Sequence, residues 1–170
     1  GSVPFCSRYR LIDFPLSNMV ESGITKIGVK TNANFQSLMD HVGTGKPWDL
    51  SRKNDGLFIL PPFNVGSAAM WGNRIDAIYG NKGFLEQSNQ EYVVMSDCNN
   101  VLSLDYESLF DAHEKSNADI TIVGVKAPMP EGIGSIICFD KVEKDGKISE
   151  MSLDRTDEGN IFHSVNIVIM

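Results

Sequence analysis

The sequence predicts an α/β domain built on a mainly parallel, mixed sheet with helices on both faces. Strand-type and helix-type hydrophobic patterns alternate along the chain, as they do in repeated strand–helix–strand units. Near the end, a Lys144-Asp145-Gly146 turn joins two apolar runs and adds a hairpin at the sheet's edge. The 170 residues are 42% hydrophobic and 22% charged, which fits about one domain with a substantial core.

Taken in order, residues 16–21 form a short helix that packs Leu16, Met19 and Val20 and is ended by Gly23. Residues 24–31 are a strand. Asn34 N-caps a helix with Phe35, Leu38, Met39 and Val42 on one face, and Gly43 closes it. A second strand, 56–60, runs up to Pro61-Pro62. The next helix, 74–88, turns Ile75, Ile78, Tyr79 and Leu85 inward, while Gly80 and Gly83 weaken its middle enough to split it. Residues 92–95 form a third strand. Asp105 caps a helix running through Lys115, with Leu109 and Phe110 facing the core. Residues 119–126 are a fourth strand, 135–139 and 147–153 flank the hairpin turn, and 164–170 is the last strand. Sheets of this kind bind ligands beyond the carboxyl ends of their strands. The run Ser96-Asp97-Cys98-Asn99-Asn100 lies at such an end.

The net charge of −7 argues against a nucleic-acid surface, which needs clustered Lys and Arg. No apolar run reaches the ~20 residues that span a bilayer, and no signal peptide is visible. Cys6, Cys98 and Cys138 have no CxxC spacing and read as reduced thiols of a cytoplasmic protein. His41, His113 and His163 are far apart and read as packing or surface residues, and no metal site is expected. Lys46 and Trp48 lie in a loop anchored by Trp48, with a partner surface as the other reading. Arg52-Lys53 is a solvated turn, and Met19, Met39, Met70 and Met95 fill core or interface positions.

Residues 3–18, Val-Pro-Phe-Cys-Ser-Arg-Tyr-Arg-Leu-Ile-Asp-Phe-Pro-Leu-Ser-Asn, resemble a sugar-nucleotide pyrophosphorylase just after its glycine-rich nucleotide loop. More specifically they resemble the glucose-1-phosphate adenylyltransferases of glycogen synthesis. The runs 37–50 and 56–63 resemble the GlgD-type paralogue that accompanies the catalytic subunit. The resemblance covers nearly the whole chain and implies a Rossmann-like nucleotidyltransferase domain. Residues 1–170 would be part of it, lacking the glycine-rich loop and the C-terminal β-helix domain. The abrupt ends, and a link over 155–163 that is short for this fold, are read the same way.

The family reaction joins ATP and glucose 1-phosphate to give ADP-glucose and pyrophosphate, with Mg²⁺ in the catalytic relatives. It depends on positioning and charge neutralisation. Against the family pattern, Asn99 and Asn100 take the places of an aspartate and a histidine, the spacing being fixed by Asp105-Tyr106. An amide brings no negative charge to a hard cation. Phe63 replaces a glutamine near ATP and has no side-chain hydrogen bond to give. Asp76-Ala77 is what remains of a longer motif, and Trp71 matches an aromatic in a loop linked to activation. Asp154 replaces a lysine for the sugar phosphate and would repel it, with Arg155 next door. Asn166 replaces a glycine that permits close approach. Arg8 takes the place of an effector-binding lysine. With Arg10 it reads as an anion site for a phosphorylated metabolite, or else as part of a salt bridge to Asp13 or Asp40.

The resemblance therefore implies a regulatory, weakly or non-catalytic subunit that needs no cofactor of its own and pairs with a catalytic adenylyltransferase subunit in a hetero-oligomer. The alternative is an active nucleotidyltransferase whose rearranged metal site uses Asp97. A pure sugar-phosphate sensor is a third reading. Neither nucleic acid nor membrane is expected as a partner.

Overall fold

The computed structural model describes residues 1–31, 35–61, 79–129, 136–153 and 159–170. The expectations for Asn34, Phe63, Met70, Trp71, Ile75, Asp76-Ala77, Ile78, Asp154 and Arg155 lie outside them. The chain divides into two compact units. One holds Gly1–Glu91 and Cys98–Leu109, the other Tyr92–Asp97 and Phe110–Met170.

The first unit opens with a short antiparallel hairpin, β1 (Pro4–Phe5) and β2 (Tyr9–Arg10). Helix α1 (Asp13–Glu21) follows, starting three residues earlier than its apolar pattern, since Pro15 is tolerated in a first turn. It buries Leu16 and Met19, and Gly23 ends it at φ 77°. Strands β3 (Lys26–Lys30) and β4 (Gly56–Leu60) pair in parallel from Lys26 with Gly56 to Lys30 with Leu60. Between them lie α2 (Gln36–Val42), which buries Leu38 and Val42, and a 3₁₀ turn, Lys46–Trp48. Met39 does not join the core and is 36% exposed.

The later helix does divide. Residues 79–80 are helical, Asn81 turns, and α3 (Lys82–Glu86) resumes against β3 and β4. Phe84 meets Phe58 with the rings tilted at 59° and their centroids 5.3 Å apart, and a side chain at Gly28 would meet Leu60 and Phe84 at 2.7 and 3.0 Å. Tyr79 is not inward but 79% exposed. It precedes the break at Asn81, so the helical phase of one continuous helix does not apply to it.

The second unit is a five-stranded antiparallel sheet. It contains β5 (Val94–Ser96), β6 (Thr121–Pro128), β7 (Ile137–Val142), β8 (Ile148–Leu153) and β9 (Asn160–Ile169). The hairpin turn between β7 and β8 is as expected, with Gly146 at φ 89°. Strand β9 carries the sheet. It pairs with β6 along one edge and with β5 and then β7 along the other, so Ile169 faces both Val94 and Thr121 while His163 faces both Cys138 and Val125. The result is a mixed α/β protein, with the parallel β3–β4 pair and the antiparallel β1–β2 hairpin in the first unit and antiparallel ladders in the second.

Helix α4 (Tyr106–Ser116) has Tyr106 and His113 as its most buried side chains, 1% and 5% exposed. Leu109 and Phe110, expected to face the core, are half-buried. Tyr106 and His113 lie seven residues apart, two helical turns, and so share a face that Leu109 and Phe110 flank.

Candidate functional site

Two places gather the residues singled out by sequence. In the second unit, β5 ends at Ser96 and Asp97 follows at once, half-buried. The Asp97 N–H donates to the Asn166 carbonyl at 3.3 Å. Asn166 lies in a bulge of β9: Val123 pairs with Ile167 but the next residue, Gly124, pairs with Ser164, leaving Val165 and Asn166 extra. Asn166 has φ 61°, and its N–H donates to the buried Ser164 hydroxyl at 2.9 Å. An asparagine is among the few side-chain-bearing residues that accept this left-handed conformation readily. Asn166 thus has a left-handed backbone that a glycine also suits, but adds a carboxamide whose Oδ1 is buried with no hydrogen-bond partner among the described residues.

In the first unit, Asn99 is exposed and Asn100 half-buried in the loop that leads to α4. That loop is fixed at both ends. The Asn18 amide donates to the Leu102 carbonyl at 2.7 Å, and the Tyr106 N–H donates to the Ser22 hydroxyl at 2.9 Å. Asp105 caps the helix as expected. It accepts the Glu107 N–H at 3.0 Å and the Ser108 hydroxyl. The Ser108 hydroxyl, helped by the N–H groups of Glu107 and Ser108, holds the Asp105 carboxyl below the usual aspartate range.

The first unit also carries Arg8 and Arg10 on the β1–β2 hairpin. Arg8 is exposed at its tip, and among the described residues its guanidinium has no ion pair or hydrogen bond. Arg10 does not bridge to Asp13 or Asp40 through its side chain. Its guanidinium donates to the Ser37 carbonyl and hydroxyl at 2.6 and 2.9 Å, and it is the Arg10 backbone N–H that meets Asp13 Oδ2 at 2.9 Å. The other Asp13 oxygen lies 2.6 Å from His41 Nε2, and Asp13 is 8% exposed. His41 meets the edge of Trp48, whose indole N–H donates to the Ser17 hydroxyl at 3.2 Å. The Trp48 loop is packed, as read from sequence. The Asp13–His41 pair was not read from sequence, because its members are 28 residues apart and no spacing rule links them.

At the end of β5, Asp97 is the carboxylate that could meet a magnesium ion. Asn99 and Asn100 offer neutral amides, and the described residues hold no group of three His, Cys, Asp or Glu side chains placed for a metal. His113 and His163 are buried, His113 Nδ1 meeting the Thr121 hydroxyl at 2.7 Å. Among the described residues, Cys6, Cys98 and Cys138 form no disulfide. None of the described helices is long and apolar enough to cross a membrane.

Residues 2–152 match the nucleotidyl transferase family. The chain belongs to that family. Among its relatives are proteins named glucose-1-phosphate adenylyltransferase. That of Thermosipho africanus is 44% identical over 131 residues, covering 76% of this chain and 32% of the relative. That of Lachnospira eligens is 38% identical over 152 residues, covering 88% and 35%. That of Clostridium acetobutylicum is 36% identical over 169 residues, covering 99% and 44%. The chain thus spans about a third to under a half of the relatives' length.

Proposed function

We propose that this chain is part of a regulatory, weakly or non-catalytic subunit of a cytoplasmic glucose-1-phosphate adenylyltransferase, acting beside a catalytic subunit in a hetero-oligomer. One observation carries the reading. At the spacing where the family pattern has an acidic residue, Asn99 stands as an exposed amide on an anchored loop. No carboxylate occupies that position to draw a cation, and catalysis of phosphoryl-group chemistry relies on such charge neutralisation. The Asn166 carboxamide supports the same reading, since it fills space that a glycine leaves open. Arg8, exposed at the hairpin tip, is the proposed contact for a phosphorylated effector.

The test is ADP-glucose synthesis by the full-length protein, alone and mixed with the adenylyltransferase of the same organism. Little synthesis alone, with changed kinetics or effector response of the partner on mixing, is expected. Substantial synthesis in isolation overturns the reading.

A second reading has one observation in its favour. Asp97 directly follows β5 and is tied through its backbone to Asn166. If Asp97 serves as the site's carboxylate, the protein makes ADP-glucose alone and Asp97→Asn abolishes it. An Asp97→Asn protein with unchanged pyrophosphate release eliminates this alternative.

A further inference from the structure

The second unit brings two sulfurs and an imidazole to one face of its sheet. Cys138 on β7 and His163 on β9 are direct cross-strand partners, so their side chains share a face with Cβ atoms about 5 Å apart. His163 also faces Val125 on β6. Alternation from Val125 through Ala127 puts Met129, just past the end of β6, on that same face. Its thioether does arrive there, with Sδ 3.9 Å from Cys138 Sγ.

The three donors are open to a further ligand. Cys138 is 0% exposed, forms no disulfide among the described residues, and makes only long sulfur contacts, to Met129 and to the Ile136 carbonyl at 3.8 Å. The His163 ring, 5% exposed, has Nδ1 3.5 Å from the Ser164 carbonyl. A carbonyl only accepts, so it favours the neutral ring with its proton on Nδ1 and a lone pair on Nε2. Nε2 is buried and has no hydrogen-bond partner among the described residues. Burying such a lone pair without a partner is costly. A backbone carbonyl behind the other nitrogen is also the arrangement that orients a metal-binding histidine.

The donors and their spacing select the ion. Thiolate and thioether are soft ligands that favour Cu(I). Metal–sulfur bonds of about 2.3 Å on a three-coordinate ion put two sulfurs about 4 Å apart, and Cys138 and Met129 stand at 3.9 Å. Charge agrees, since one thiolate neutralises a monovalent ion, whereas a divalent ion on these donors would keep a buried positive charge.

We propose that Cys138, Met129 and His163 bind one Cu(I) ion through Sγ, Sδ and Nε2. The thiol releases its proton to solvent as the ion enters, and the copper stays monovalent. Met129, half-buried, is the least enclosed of the three and the side from which the ion arrives.

The experiment titrates the reduced full-length protein with Cu(I), without oxygen, against a chromophoric Cu(I) chelator. A Cys6→Ser, Cys98→Ser background removes the two more accessible thiols. That protein is expected to withhold copper from the chelator, and X-ray absorption at the copper edge should show two sulfur neighbours and one nitrogen. Cys138→Ser, Met129→Leu and His163→Gln should each weaken binding by about tenfold to a hundredfold or more, since losing even a residue that supports a metal ligand costs that much. Met39→Leu, at an exposed methionine on α2, should leave it unchanged.

Failure of the background protein to compete with the chelator overturns the site. So does unchanged affinity in Met129→Leu. Methionine and leucine are close in volume, so this variant keeps the fold and decides the matter alone should Cys138→Ser or His163→Gln fold poorly. Zn(II) bound as tightly as Cu(I), and lost equally in Cys138→Ser, overturns the choice of ion.

Discussion

Replacing Gly56 with alanine tests how β4 is set against the loop before it. Gly56 opens β4 at φ 110°, a conformation that residues with a side chain rarely adopt, and a Cβ there would lie 2.2 Å from the Leu50 carbonyl oxygen. That oxygen is not free to retreat, because it accepts the Leu57 N–H at 3.1 Å. The Gly56 N–H itself donates to the Thr25 carbonyl at 2.7 Å, which sets the register of β4 on β3. Holding alanine in this backbone costs about 1–3 kcal/mol. Weakening the Leu57–Leu50 bond adds about 0.5–1.5 kcal/mol. The expected loss is therefore about 2–4 kcal/mol, or roughly 4–16 °C in melting temperature for a chain of this size. Urea and thermal unfolding followed by circular dichroism measure it. A loss under ~0.5 kcal/mol, the range of a plain surface change, would show that the loop yields and that the reasoning is wrong.

Asn166→Gly is expected to hold stability within about 1 kcal/mol, since glycine accepts the left-handed bulge, whereas Asn166→Val should lower it by about 2 kcal/mol or more; chemical denaturation compares the two. The Asp105 carboxyl, lowered by the Ser108 hydroxyl, stabilises the start of α4 at pH values above the usual aspartate value and loses that effect as pH falls through its own depressed one. Protection of the Glu107 amide, measured against its intrinsic exchange rate at each pH, should accordingly fall in acid in the wild type and already be low at neutral pH in Asp105→Ala. Tyr106→Ala empties a site 1% exposed and should cost about 3–5 kcal/mol in unfolding free energy.

The sequence was most informative where one local signal decided the backbone. Strand β4 matches its expected bounds end to end, because Pro61 cannot extend a ladder as a donor and Gly56 suits the positive φ. The turn at Gly146 and the cap at Asp105 were legible for the same reason. The length of β9 was not. Its first residues, Asn160 to His163, join the strand because β6 and β7 pair with them, and partners distant in sequence leave no local trace. The inward placing of Tyr79 failed because a break at Asn81 cancels the helical phase. At the candidate site, the substitutions at Asn99 and Asn166 were readable residue by residue. What the sequence lacked was the backbone: that Asn166 is left-handed in a bulge, that its carbonyl holds Asp97, and that Arg10 spends its guanidinium on Ser37.

Strand β9 also bears on the order in which the second unit assembles. β5, β6 and β7 all precede it in the chain, and each makes a ladder with it. While β9 is still unmade, as during synthesis, β5 and β6 have no partner in this sheet, and the β7–β8 hairpin stands by itself. Ladders between segments so far apart close slowly. A nascent chain stalled just before residue 160 should therefore present unpaired strand edges to chaperones, and that susceptibility should vanish once Asn160–Ile169 emerges.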